Sequence, residues 1–322
     1  MASIAAQNGH EVSAFIRQQE RCDAMNSSRR NAHAKGLEHF ILSDRITAVS
    51  SVEEACRGAS IIVNALPAQT GPSFISENKS NIPEEAIFCS TSKGLFLDDK
   101  CLLSEAMAKA FGRPQALAVL SGPSFAKQMM ENHPTAVVVA SEMLCHAAMI
   151  QRAFSGPRFR IFTSQDVIGV ELGGALKNPL AIGAGMLEGR GLGSNTMAAY
   201  LTRATRELQT LCVVLGGKAE TVHGLSGVGD LMLTAYGDLS RNRACGMRLA
   251  NGEPLKELLR DTTVEGVPTA HVALHLAHQH NVELPIFKCI AQILDDSLTL
   301  DKAIDLMMSC PLGTEEASPG ES

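Results

Sequence analysis

The 322-residue sequence has no tryptophan, two tyrosines and only 4% aromatic residues. It also lacks any apolar run approaching the ~18–20 residues a helix needs to cross a bilayer, so no membrane insertion is expected. Residues 1–9 read MASIAAQNG, with neither a basic n-region nor an apolar h-region, so no secretory signal is expected there. Nine cysteines stand at 22, 56, 89, 101, 145, 212, 245, 289 and 310, an odd number with no C-x-x-C pair. That argues against a disulfide framework or a thiolate zinc site and points to a reducing compartment, the cytoplasm. Positive charge is not in excess either. The formal net charge is −6 and no basic stripe interleaves with aromatics, so nonspecific nucleic-acid binding, driven by counterion release at a basic surface, is not expected. An anionic ligand must then meet a local cationic pocket. There is no internal repeat, and the chain ends in neither SKL nor a C-a-a-X box.

What is present is a globular composition, 45% hydrophobic and 19% charged, with 27 glycines and enough length for two domains. The first half alternates β-rich runs with helical stretches: 11–16, 46–50, 60–66, 86–91, 116–122, 135–140 and 159–163 for strands, and 18–31, 102–111 and 142–154 for helices. Several runs are apolar throughout, as strands covered on both faces should be. Ser141 is the expected N-cap of the third helix. From about residue 166 the strand signal stops, and helices are expected at 166–185, 195–215, 240–250, 267–280 and 285–296. The expected fold is α/β, a doubly wound, mostly parallel Rossmann-like sheet over 1–165 followed by an all-helical domain over 166–312, with a frayed tail at 313–322.

Such a layout suggests a nucleotide-dependent dehydrogenase, yet the G-x-G-x-x-G turn is absent. Gly183/Gly185, Gly191/Gly193 and Gly227/Gly229 supply G-x-G, but Glu188, Thr196 and Met232 fill the third position, and none follows a strand. Residues 1–9 instead read as the end of the helix that follows such a turn. The first strand and its glycine turn are thus expected to lie before Met1, leaving a central strand position of the sheet empty and its neighbours' edges exposed. The most informative segment is 171–200, ELGGALKNPLAIGAGMLEGRGLGSNTMAAY. One lysine among small apolar residues, Lys177, is either a desolvated general base or a residue snorkelling from a helix surface.

This segment resembles the signature of NAD(P)-dependent glycerol-3-phosphate dehydrogenases. Gly174, Ala175, Leu176, Lys177, Asn178, Ala181, Gly183, Gly185, Glu188, Gly189, Gly193, Asn195 and Thr196 stand where that pattern has them. Further matches are LPAQ (66–69), STSKG (90–94), SGPSFA (121–126), LSGVGDLMLTAYGDLSRNRACG (225–246) and VEG (264–266). The resemblance implies interconversion of sn-glycerol 3-phosphate and dihydroxyacetone phosphate with NAD or NADP, by a homodimer acting on a small phosphorylated substrate. It implies that Lys177 takes the hydroxyl proton and that Arg241 and Asn242 hold phosphates. Asp230 and Thr234 would hold substrate hydroxyls and the lysine, and Lys93 would contact cofactor and substrate. Gly122, Ser124 and Ala126 would line cofactor and phosphate, with Ser240 and Glu265 completing the site.

Arg17 follows the second-strand match, where a basic residue meets an adenosine 2′-phosphate and so favours NADP; a solvated Arg is the other reading. Gly122-Pro123-Ser124 also reads as a turn, and Asp238-Leu239-Ser240 as an N-cap. His271, His275, His278 and His280 read as a solvated helix face, with a metal site as the alternative. Two positions depart from the family: Pro179 follows Asn178, which would kink the helix carrying Lys177, and Arg190 replaces an aliphatic residue. Two other functions stay open, a catalytically silent homologue without dinucleotide binding and a related β-hydroxyacid or ketopantoate-type dehydrogenase.

Overall fold

A computed structural model of the chain describes residues 1–260 and 262–309; Cys310 and the expected tail lie outside them. Seven strands form where the apolar runs predict them, to within a residue or two. They are β1 (Val12–Phe15), β2 (Ile46–Val49), β3 (Ile61–Asn64), β4 (Ile87–Ser90), β5 (Leu117–Ser121), β6 (Thr135–Ala140) and β7 (Phe159–Ser164). The helices are α1 (Ala2–Gln7), α2 (Gln19–Ser28), α3 (Val52–Cys56), α4 (Gly71–Asn78), α5 (Leu103–Phe111), α6 (Ala126–Met130), α7 (Leu144–Phe154) and α8 (Val167–Gly189). There follow α9 (Ser194–Val214), α10 (Ala219–Val222), α11 (Asp230–Tyr236), α12 (Arg241–Ala250), α13 (Leu255–Leu258), α14 (Gly266–Gln279), α15 (Pro285–Leu294) and α16 (Leu300–Met308). None among the described residues is long and apolar enough to cross a membrane.

The chain divides into two units. The first holds residues 1–92, 107–120 and 124–167; the second holds 93–106, 121–123 and the chain from Ile168 onward. In the first unit β1 pairs in parallel with β2, Val12 opposite Ile46, while β3 to β7 form a second sheet in sequence order. The pairs β3–β4, β4–β5 and β6–β7 are parallel. Among the described residues no ladder joins the two sheets. Ile87, Ala118, Leu120, Val137, Val139 and Ile161 form the core of the larger sheet. Ser141 does not cap α7. Its hydroxyl donates to the Leu117 carbonyl at 2.7 Å, and Met143 holds the cap position without a side-chain bond. A buried hydroxyl beside a free strand carbonyl is satisfied there, two residues short of the helix.

The second unit is built around α8. This helix is buried on all sides from Gly169 to Leu187, as expected for one that is apolar all round. It continues through Pro179, although the proline removes the bond to the carbonyl four residues back. Glycines bring α8 and α12 together at the main chain. A Cβ at Gly246 would overlap the Ile182 carbonyl, and one at Gly185 the Arg243 carbonyl. Arg243 then clamps the crossing, its guanidinium donating to both Glu188 oxygens at 2.6 and 2.7 Å.

Because neither opposing group is the flexible end of a side chain, Gly246→Ala must push the helices apart. We expect it to lower the urea midpoint of unfolding by the equivalent of about 1–3 kcal/mol or more. A midpoint equal to wild type would contradict this account of the crossing.

Candidate active site

The residues the sequence singled out most strongly meet in the second unit. Lys177 lies midway along α8 and is 6% exposed, so its ammonium does not snorkel to water. Its Nζ donates to Asp230 Oδ1 at 2.5 Å and to Thr234 Oγ1 at 2.9 Å. Asp230 and Thr234 are one turn apart on α11, and the Thr234 hydroxyl donates back to the Asp230 carbonyl at 2.6 Å. That bond uses the hydroxyl proton and leaves its lone pairs facing the amine. The second carboxylate oxygen of Asp230 accepts from Lys93 Nζ at 2.7 Å, and Lys93 also donates to the Gly122 carbonyl at 2.8 Å. Gly122 presents that carbonyl at φ 134°, a conformation that favours glycine. One carboxylate with no exposure to water is thus shared by two amines.

The electrostatic balance follows from this sharing. Burial disfavours the charged form of Lys177, and the Lys93 ammonium repels it; Asp230 pulls the other way and is outweighed. The pKa of Lys177 falls to about 7. An amine near neutrality is half deprotonated at physiological pH, which suits a proton acceptor.

Beside this cluster, Ser240 is the N-cap of α12, its buried hydroxyl accepting from the Arg243 N–H at 3.1 Å. Arg241 is the first residue of the helix and is exposed; Asn242 is buried. A row of amides runs from there. The Gly266 N–H donates to Asn242 Oδ1 at 3.0 Å, Asn242 Nδ2 to Asn178 Oδ1 at 2.9 Å, and Asn178 Nδ2 to the Lys93 carbonyl at 3.1 Å. Glu265 caps α14 and is half-buried; burial raises its pKa against the lowering charge of Arg241. The remaining named residues belong to the first unit. Arg17 is exposed just beyond β1, Ser124 is half-buried in the turn after β5, and Ala126 is the exposed first residue of α6.

Lys177, Asp230, Thr234, Lys93 and Gly122 therefore form one hydrogen-bonded cluster, and Asn242 reaches the backbone of Lys93 through Asn178. Sequence reasoning gave Asn178 and Ser121 places in motifs but no role. The Ser121 hydroxyl is buried without a hydrogen-bond partner, and a Cβ on Gly174 would overlap it while lying 3.5 Å from Lys93 Cγ. On α14, His271 Nε2 lies 3.4 Å from Asp295 Oδ1. Among the described residues no group of three or more His, Cys, Asp or Glu is placed to hold a metal ion.

Comparison with known proteins matches residues 1–147 to the family model "NAD-dependent glycerol-3-phosphate dehydrogenase N-terminus" and residues 166–305 to the corresponding C-terminus. The chloroplastic NAD(+) glycerol-3-phosphate dehydrogenase of Oryza sativa subsp. japonica is 41% identical over 314 residues, covering 96% of this chain and 71% of that protein. The NAD(P)+ enzyme of Citrifermentans bemidjiense is 37% identical over 319 residues, covering 98% and 95%. A crystal structure of glycerol-3-phosphate dehydrogenase from Coxiella burnetii superimposes with a TM-score of 0.88 at 32% identity, covering 96% and 94%.

Lys93→Met removes the like charge that faces Lys177. The Lys177 titration midpoint, read by side-chain NMR of ¹⁵N-labelled lysines and assigned with Lys177→Arg, should move upward by about one unit or more. A midpoint that stays near 7 would remove Lys93 from the electrostatics of the site.

Proposed function

The chain belongs to the NAD-dependent glycerol-3-phosphate dehydrogenase family, and from that premise we propose that it interconverts sn-glycerol 3-phosphate and dihydroxyacetone phosphate with NAD or NADP. The observation that carries this reading is the buried amine of Lys177, near neutrality and held by Asp230 and Thr234. In oxidation, neutral Nζ accepts the proton of the substrate C2 hydroxyl, and the resulting ammonium is stabilised by Asp230 Oδ1 and Thr234 Oγ1. In reduction the same ammonium returns the proton to the carbonyl oxygen. The nicotinamide, when bound, supplies the hydride acceptor or donor. The residues present fit it on one count: the unpartnered Ser121 hydroxyl beside Lys93 is a buried polar atom open to a bound group.

Arg17, Lys93, Ser124, Ala126, Arg241 and Glu265 are the residues we assign to cofactor binding. Arg241 presents a planar fork suited to a phosphate. Asn242 has one Nδ2 proton beyond its bond to Asn178, and that proton would point to the same phosphate. Gly122 and Ser240 would border the substrate. On this reading residues 1–165 bind the dinucleotide and 166–312 the substrate. The reading also carries a homodimer, for which exposed Met232, Tyr236 and Leu239 offer an apolar surface and which sedimentation would detect. It places the protein in the cytoplasm, in keeping with eight described cysteines of which none is in a disulfide. A second reading, a homologue silent toward dinucleotides, has one observation in its favour: no G-x-G-x-x-G occurs in the sequence.

Lys177→Ala should lower turnover of dihydroxyacetone phosphate by about 10²–10⁴-fold. Near-normal turnover would refute the assigned acceptor, and faster turnover of pantoate or 3-hydroxyacids by wild type would refute the substrate. Because Lys177 acts as an unprotonated amine in oxidation, kcat/KM for glycerol 3-phosphate should fall as pH drops below about 7. Fluorescence titration with NADH and NADPH should show micromolar binding, with Arg17→Ala weakening NADPH more than NADH. No binding of either would establish the silent form.

A further inference from the structure

Lys93 sits in the stretch between β4 and α5, where the regular structure among the described residues amounts to one isolated bridge, Phe96 to Cys101. A segment without a ladder of its own is positioned by its anchors. Two of them stand on α8. Near the start of the segment the Lys93 carbonyl accepts from Asn178 Nδ2 at 3.1 Å; near its end the Ser104 N–H, in the first turn of α5, donates to Glu171 Oε1 at 3.0 Å. Glu171 and Asn178 are seven positions apart, which is two helical turns, so they share one face of α8 at a separation of about 10 Å. Gly174 lies between them on that face, where its missing side chain leaves room for the Ser121 hydroxyl, with Lys93 Cγ at ordinary contact distance. Leu95 and Leu102 join the same core as Leu172 and Leu176. The face thus reads Glu-x-x-Gly-x-x-x-Asn, and all three of its residues meet the Lys93 segment or its neighbour Ser121.

We propose that Glu171 is a positioning residue: by holding the N-terminus of α5 against α8, it sets the depth at which the Lys93 ammonium meets Asp230 and Gly122. This rests on the reading of Lys93 and Lys177 as the paired cations of the site. The carboxyl is poorly placed for stability alone. It is 4% exposed, its Oε2 has no hydrogen-bond partner, and a buried oxygen left in that state costs free energy. Burial lifts its pKa to about 7, against the Ser104 and Leu103 donors and with Glu105 adding repulsion from α5. What this carboxyl holds, the segment that delivers Lys93, accounts for its presence.

The test is the Lys177 titration midpoint in the full chain without cofactor, read by ¹⁵N-lysine NMR, beside the pH profile of kcat/KM for glycerol 3-phosphate. Glu171→Ala releases Lys93 from Asp230, removing a like charge from Lys177, so both midpoints should rise by about one unit. Glu171→Gln keeps an acceptor for the Ser104 N–H and should retain the wild-type midpoint. Ser104→Pro deletes that N–H at a first-turn position where proline is tolerated, and should reproduce the rise even if Glu171→Ala does not fold. An unmoved Lys177 midpoint in either folded variant overturns the proposal, as does Glu171→Gln shifted as far as Glu171→Ala. If wild type turns over no substrate, the functional reading fails, while the NMR titration still decides whether Glu171 places Lys93.

Discussion

Asp230 is a carboxylate without access to water, and the arrangement around it follows from that fact. An isolated buried carboxylate costs several kcal/mol, and removing one member of a buried ion pair typically costs about 3–5 kcal/mol. Each oxygen of Asp230 therefore has its own ammonium. With Lys177 alone the result would be a neutral pair, in which the carboxylate would keep the lysine charged. The second cation changes the chemistry. Burial works most strongly against the charge of Lys177, and Lys93, which takes half of the carboxylate, adds its repulsion, so that the more deeply buried amine is held near neutrality. Helix α11 brings the acid, α8 the buried amine, and the segment leading to α5 the second cation.

Much of this was legible in the sequence because the elements are extreme in type. Several of the strands are apolar on both faces and stand out as short unbroken runs, and α8 is a long stretch of Gly, Ala and Leu with a single lysine, hard to read as a surface helix. The departure at Pro179 left α8 continuous. Less was legible where contacts join distant positions. Asn242 reads as a free phosphate ligand, yet both ends of its amide are engaged, with Asn178 and with Gly266, and no spacing in the chain relates 93, 178, 242 and 266. Ser141 reads as a cap because it stands before a helix, but a strand carbonyl competes for its hydroxyl. The pull of Asp230 against burial and Lys93 could be stated from sequence only as opposing directions; distances and depth decide it. Glu171 is the intermediate case. Its seven-residue spacing from Asn178 is a local signal, but it acquires meaning only once Ser104 is known to lie opposite.

The crossing of α8 and α12 has a consequence for how the site can diversify by descent. Lys177 rides on one helix and Arg241 and Asn242 on the other, and at Gly185 and Gly246 the two backbones meet with no side chain between them. The span from Lys177 to Arg241 is thus ruled by the radius of a bare helix, a quantity that substitution can increase but not adjust in small steps. Any larger residue there displaces the whole of α12 at once. A lineage drifting toward a longer or bulkier substrate would find these positions closed to gradual change, and its variation would collect instead in the loops that border the site.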